Sequence, residues 1–232
     1  MPRIDHVVSY QPPALSQPHW YVQPEDQVEH VLKLNFTQKW GIPKSEFPTR
    51  VPRFEQKTPT ELLLLAIGLP DGNGMRSVER TFTEHLSVIR SQLSSRGCDI
   101  HCWDNLKTDP QHLKLVPGVT SKSGLQWVVF DYAAHWQSEE GHRVSDLWKS
   151  RDTANLASSE ILSALMLFPE WGLNMNGASA PFPNLSGYRL DRNEINLHIE
   201  KQSNAASLRL DARFTNYRCY GSASPMVRYI EY

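Results

Sequence analysis

Cysteine is scarce in this chain: Cys98, Cys102 and Cys219 are the only three in 232 residues. An odd and small number builds no disulfide framework, which excludes a stapled secreted domain and predicts a reducing, cytoplasmic setting. Long apolar runs are missing too. The longest, Leu62 to Gly68 and Trp127 to Phe130, fall far short of the roughly 20 residues that cross a bilayer. The opening residues Met1 to His6 include Asp5 and lack the apolar stretch of about 7 to 15 residues that a signal peptide needs, so export by that route is not expected. Neither sign of charge is in excess: 24 basic residues face 25 acidic ones, a net charge of -1. That removes any global attraction to nucleic acid or anionic lipid. Internal repeats and low-complexity tracts are absent as well. What remains is a chain that is 40% hydrophobic, long enough to bury a substantial core as one domain.

Residues 1–24 hold Pro2, Pro12, Pro13, Pro18 and Pro24, which fix φ and suit an extended arm, with Trp20, Tyr21 and Val22 bulky enough to pack on the body. The body, 25–232, begins with apolar residues Val28, Val31, Leu32, Phe36 and Trp40 at helical spacing, ended by Gly41 and Pro43. Leu62 to Ile67 reads as a buried strand. Met75, Val78, Phe82, Leu86, Ile89 and Leu93 form one helical stripe that stops at Arg96 and Gly97. Cys98 to Trp103 then predicts a second strand, and Leu125 to Tyr132 a third, rich in aromatic and β-branched residues. Residues 104–124 read as loop. A further helix over Leu156 to Phe168 stops near Pro169, and 169–187 reads as a long irregular excursion that covers the core with Trp171 and Phe182.

Near the C-terminus, Ile195, Leu197 and Ile199 alternate with polar residues, as do Leu208, Leu210, Ala212 and Phe214. With a tight turn at Ser203 and Asn204, a hairpin would pair Ile199 with Leu208, Leu197 with Leu210 and Ile195 with Ala212, placing His198 beside Arg209 and Glu194 beside Arg213. The fold class this predicts is α+β: a mixed β-sheet with helices packed on it. A split βαβ (ferredoxin-like) core extended by the C-terminal hairpin is the specific candidate, and a Rossmann-like open sheet its rival.

The strand-to-helix junction from Gly68 to Ser77 offers unpaired N–H groups to an anion, with Gly72, Gly74, Arg76 and Ser77 as candidate ligand-binding residues. It matches neither a P-loop nor a dinucleotide fingerprint. A tight glycine turn with Asp71 or Asn73 capping the helix explains it more simply. Cys98, His101, Cys102 and His112 are metal-ligand types, but on a strand Cys98 and Cys102 stand roughly 13 Å apart and His101 points to the other face, so no zinc site is expected. Asp131 ends the third strand, and His135 follows four residues later, a possible acid-base pair with no recognisable nucleophile beside it. Arg209, Arg213, Arg218 and Arg228 lie near Tyr217, Tyr220 and Tyr229, interleaved with acidic residues.

The leading expectation is a binding or protein-interaction module without catalytic activity, needing no cofactor and no metal. Its partner would be a protein or a small anionic ligand; a membrane and nucleic acid are not expected. The alternative is a small-molecule enzyme that acts on an anionic substrate held at the Gly68 to Arg76 junction, with Asp131 and His135 as acid-base groups. The enzyme requires the junction and Asp131 to converge in a pocket, which holds if their strands run parallel. The binding module requires them apart, and a contiguous exposed apolar patch.

Overall fold

The computed structural model describes residues 17–34, 39–70, 77–102, 112–136, 141–177, 179–190, 195–201 and 207–231. The chain begins with α1 (Pro24–Lys33), β1 (Glu61–Gly68), α2 (Val78–Ser94), β2 (Asp99–Cys102), β3 (Leu113–Leu115) and β4 (Gly124–Asp131). A middle section holds β5 (His142–Arg143), α3 (Val144–Trp148), α4 (Ser159–Leu167) and α5 (Pro169–Asn174). The remainder is strand: β6 (Phe182–Leu185), β7 (Tyr188–Leu190), β8 (Ile195–Lys201), β9 (Ser207–Phe214), β10 (Arg218–Cys219), β11 (Ser222–Ala223) and β12 (Met226–Tyr229). The α+β class holds.

Two sheets carry the fold. In one, β4 lies between β1 and β12 and runs antiparallel to both. The other has the order β11, β6, β8, β9, β2, antiparallel in the middle and parallel at both edges. Short ribbons pair β5 with β10 and β3 with β7. Between the sheets sits α4, buried along its whole length and packed on β1, β6, α2 and α5. A helix apolar on most sides has no solvent face to spare, so the centre is where it goes.

Several expectations are corrected by this topology. The strand, helix, strand succession of β1, α2 and β2 is divided between two sheets, because β2 pairs with β9 rather than with β1. Among the described residues the strands therefore form neither a split βαβ core nor an open parallel sheet, and β8 and β9 lie in the middle of the second sheet rather than extending it. Residues 104–124 include β3, and Pro169 starts α5 as its first residue, where its missing N–H costs nothing.

The pairing of β8 with β9 is antiparallel as expected, but its register is shifted by two. Leu197 faces Ala212, Ile199 faces Leu210 and Ile195 faces Phe214, while His198 stands opposite Asp211, Asn196 opposite Arg213 and Glu200 opposite Arg209. A shift of two keeps every side chain on its own face. Alternation therefore fixes the face, and the length of the connection fixes the register. The register expected from a two-residue turn at Ser203 and Asn204, or from a four-residue loop there, is not the one observed, and the connection 202–206 lies outside the described residues.

β1 is an edge strand with one unpaired row of backbone groups, and side chains complete it. Tyr21 Oη and Gln27 Nε2 donate to the Leu63 carbonyl, and Leu65 N–H donates to Gln27 Oε1. Further along, Ile67 N–H donates to Ser163 Oγ and Leu69 N–H to Thr81 Oγ1. The side chains of α1, α4 and α2 thus act as the missing neighbour of β1 and cover part of its edge. Gln27→Met, similar in volume, should leave Leu65 N–H buried without a partner and cost about 2 kcal/mol in urea unfolding. A loss no larger than that of Gln23→Met, on an exposed side chain, would show the ladder to be dispensable.

α2 buries Phe82, Leu86, Ile89 and Leu93; the helix packs chiefly on α4 and also touches β2, β3 and α5. Its cap is Ser77, whose hydroxyl accepts from Arg80 N–H, rather than Asp71 or Asn73.

Candidate functional site

Asp131 and the Gly68 junction stand at opposite ends of one strand pair. In the antiparallel register Glu61 faces Asp131 and Gly68 faces Gly124, a separation of roughly 24 Å at 3.4 Å per residue. Gly72, Gly74 and Arg76 lie outside the described residues, whereas Ser77 spends its hydroxyl on the helix cap. The carboxylate of Asp131 is occupied as well: it accepts from Thr60 Oγ1 at 2.6 Å, Thr58 Oγ1 at 3.2 Å and Ala133 N–H at 3.3 Å. It closes the turn over 132–136. No hydrogen bond joins it to His135 among the described residues.

His135 sits in the left-handed region, φ 62°, and its ring lies 5.8 Å from that of His142. More than a third of its surface meets water, yet the atoms packed round the ring lower its pKa; the charges of Asp131 and Asp152 pull the other way. His142 is held more firmly. Its Nε2 is 2.7 Å from Ser224 Oγ, and Ser224 N–H donates to the Ala134 carbonyl, so the 132–136 turn and the strands β5 and β11 are tied together. Burial, helped by the neighbouring His135, pushes the pKa of His142 down to about 4.

That depression makes a pH prediction. Above the unfolded pKa of 6.5 both states are neutral and nothing is lost. Below it the unfolded chain takes up a proton that the folded one refuses, so stability falls as pH drops from about 6.5 to about 4, by about 3 kcal/mol in all. Urea unfolding of the wild type and of His142→Gln at pH 7 and pH 4 reads this group together with its coupling to His135, since titrations of unlinked groups cancel in the difference. Equal losses in both proteins would contradict it.

β5 and β10 form a ribbon above this cluster. Its underside is Cys219 opposite His142, and the Cys219 thiol reaches Asn184 Oδ1 at 3.8 Å. Burial raises the Cys219 pKa, which makes it an inert core thiol rather than a nucleophile. The outer face carries Arg143 directly opposite Arg218. Tyr220 packs close to Gly141: a Cβ there would come within 3.1 Å of its ring. No family model, no curated protein and no solved structure matches this chain. Function must therefore be argued from the surface itself.

Beside the ribbon, Phe214 and Tyr217 meet edge to face with centroids 5.9 Å apart. Phe214, Tyr217 and Tyr220 keep 55%, 60% and 66% of their surface in water. Of the large hydrophobic residues that are exposed in the described part, only Leu32 lies elsewhere. Sequence reading noticed the arginines and tyrosines here but could not separate the exposed Tyr217 and Tyr220 from the half-buried Tyr229, whose hydroxyl donates to Glu160. Among the described residues no three His, Cys, Asp or Glu side chains are grouped closely enough to hold a metal, and no helix is long and apolar enough to cross a membrane.

Proposed function

We propose that the protein is a binding module that docks an acidic segment of a protein partner on the outer face of the β5 and β10 ribbon. The observation that carries this reading is the exposure of Phe214, Tyr217 and Tyr220, the first two in edge-to-face contact, on and next to the ribbon in which Arg143 faces Arg218. Exposed aromatic groups are costly in water, and aromatic residues with arginine are the groups that anchor protein interfaces. Two exposed arginines at facing positions of the ribbon suit an anionic partner. The separation of Asp131 from the Gly68 junction favours this reading over an acid-base enzyme.

The test uses a labelled copolymer of glutamate and tyrosine as probe, with oligo-dT as control, in fluorescence anisotropy. The copolymer should bind with an affinity that falls as salt rises, and Tyr217→Ala with Tyr220→Ala should weaken it at least tenfold, the order expected for losing two anchors. Failure to bind, or equal binding by the double variant, would overturn the proposal. Preferential binding of oligo-dT would assign the surface to single-stranded nucleic acid instead.

A further inference from the structure

The ribbon of β5 and β10 pairs only His142 with Cys219 and Arg143 with Arg218, and Ser145 N–H extends it by donating to the Thr215 carbonyl. So short a two-stranded ribbon has little stability of its own and depends on its ties to the body. His142 Nε2 meets Ser224 Oγ at 2.7 Å, the Cys219 thiol reaches Asn184 Oδ1 at 3.8 Å, and Phe182 N–H donates to the Gly221 carbonyl just beyond β10. Ser224 is the clasp. Its N–H donates to the Ala134 carbonyl in the 132–136 turn, while its hydroxyl meets His142 on the ribbon.

The surroundings of His142 make this clasp sensitive to acid. The His135 ring stands 5.8 Å from it on the turn, the Cys219 thiol lies across the ribbon, and Arg143 and Arg218 carry positive charge on the outer face. Burial and the neighbouring His135 disfavour a proton on His142, and the His135 backbone, which favours one, is outweighed. The acids that act on this pair, Asp131 and Asp152, bear on His135, and no carboxylate is paired with His142 among the described residues. What a charged His142 lacks is water. Opening the ribbon supplies it by breaking a few contacts, whereas global unfolding would give up both sheets, so local opening is the smaller disruption.

We infer that the ribbon of β5 and β10 is a latch that a proton on His142 opens while the two large sheets stay folded. Opening separates Arg143 from Arg218 and moves Tyr220 off Gly141, so docking on the ribbon is switched off in acid. That consequence rests on the docking reading. The latch itself does not.

Cys219, buried opposite His142, reports on the ribbon, whereas Cys98 and Cys102, buried elsewhere, report on wider unfolding. The protein alone is treated with a dipyridyl disulfide, which reacts with thiols in acid, at pH 7 and pH 5. Each rate is divided by that of the urea-unfolded chain at the same pH, and peptide mass spectrometry identifies the labelled cysteine. Cys219 should react well ahead of Cys98 and Cys102. Its rate should rise about twentyfold from pH 7 to pH 5, the linkage for a group that titrates at 6.5 when open and about 4 when closed. His142→Gln should lose that rise; if the variant does not fold, the wild-type rates decide alone. A Cys219 rate that only matches Cys98 and Cys102, that stays level between the two pH values, or that rises equally in the variant would overturn the latch. None of these outcomes involves the copolymer, so the docking proposal stands or falls separately.

Discussion

Leu210→Asp should cost roughly 4 kcal/mol or more, because a carboxylate would be buried opposite Ile199 in the middle of the second sheet, among Leu197, Ile199 and Leu208. Its neighbour Arg209 points the other way, half-exposed and paired with Asp211 at 2.8 Å, so Arg209→Asn should cost well under 1 kcal/mol. Urea unfolding of the two variants reads the alternation of β9 directly. Similar losses from both would mean that the face of β9 has been misassigned.

Trp171→Ala should cost about 3 to 5 kcal/mol, the range for deleting a fully buried large aromatic side chain. Trp171 stacks on Trp20 at 5.5 Å and meets Phe130 and Tyr132 edge-on, so α5, β4 and the segment leading into α1 share one aromatic cluster. The loss should be accompanied by faster proteolysis near Trp20, whose main stacking partner is gone. A stable variant with unchanged cleavage would show that the segment before α1 is held by other contacts.

Trp171 also shows what could be read beforehand. Its burial was legible, because a large aromatic in an irregular stretch is usually core payload, although the stretch turned out to contain α5 and β6. The stripe of α2 and the buried β1 were equally plain, since each depends on local periodicity alone. The partner of a strand does not. Nothing near Cys98 to Cys102 states that β2 will join β9, more than a hundred residues on. The direction of β4 against β1 was equally silent, and on it the expected site depended.

The polar residues hid for a related reason. His198 and Asn196 occupy positions where alternation predicts a solvated face, and only the tertiary packing that encloses that face makes them buried. Gln27, which nothing in the sequence marks out, is a backbone mimic whose role exists only because β1 is left with an open edge. Tyr217 and Tyr220 carried a compositional signal, shared with Tyr229, and exposure alone separates the three. Asp131 accepts from Thr58 and Thr60, partners more than seventy residues away that a strand-ending carboxylate does not announce in sequence.

The most direct test of docking on the ribbon is a 1H–15N correlation spectrum recorded while the glutamate-tyrosine copolymer is added to the wild-type protein. The backbone amides of Arg143, Phe214, Tyr217, Arg218 and Tyr220 should shift together and saturate, while those of Asp131, His135 and Ser77 stay in place. Shifts confined to Asp131, His135 and Ser77, with the ribbon unchanged, would contradict a docking face there and return the acid-base pair to the front.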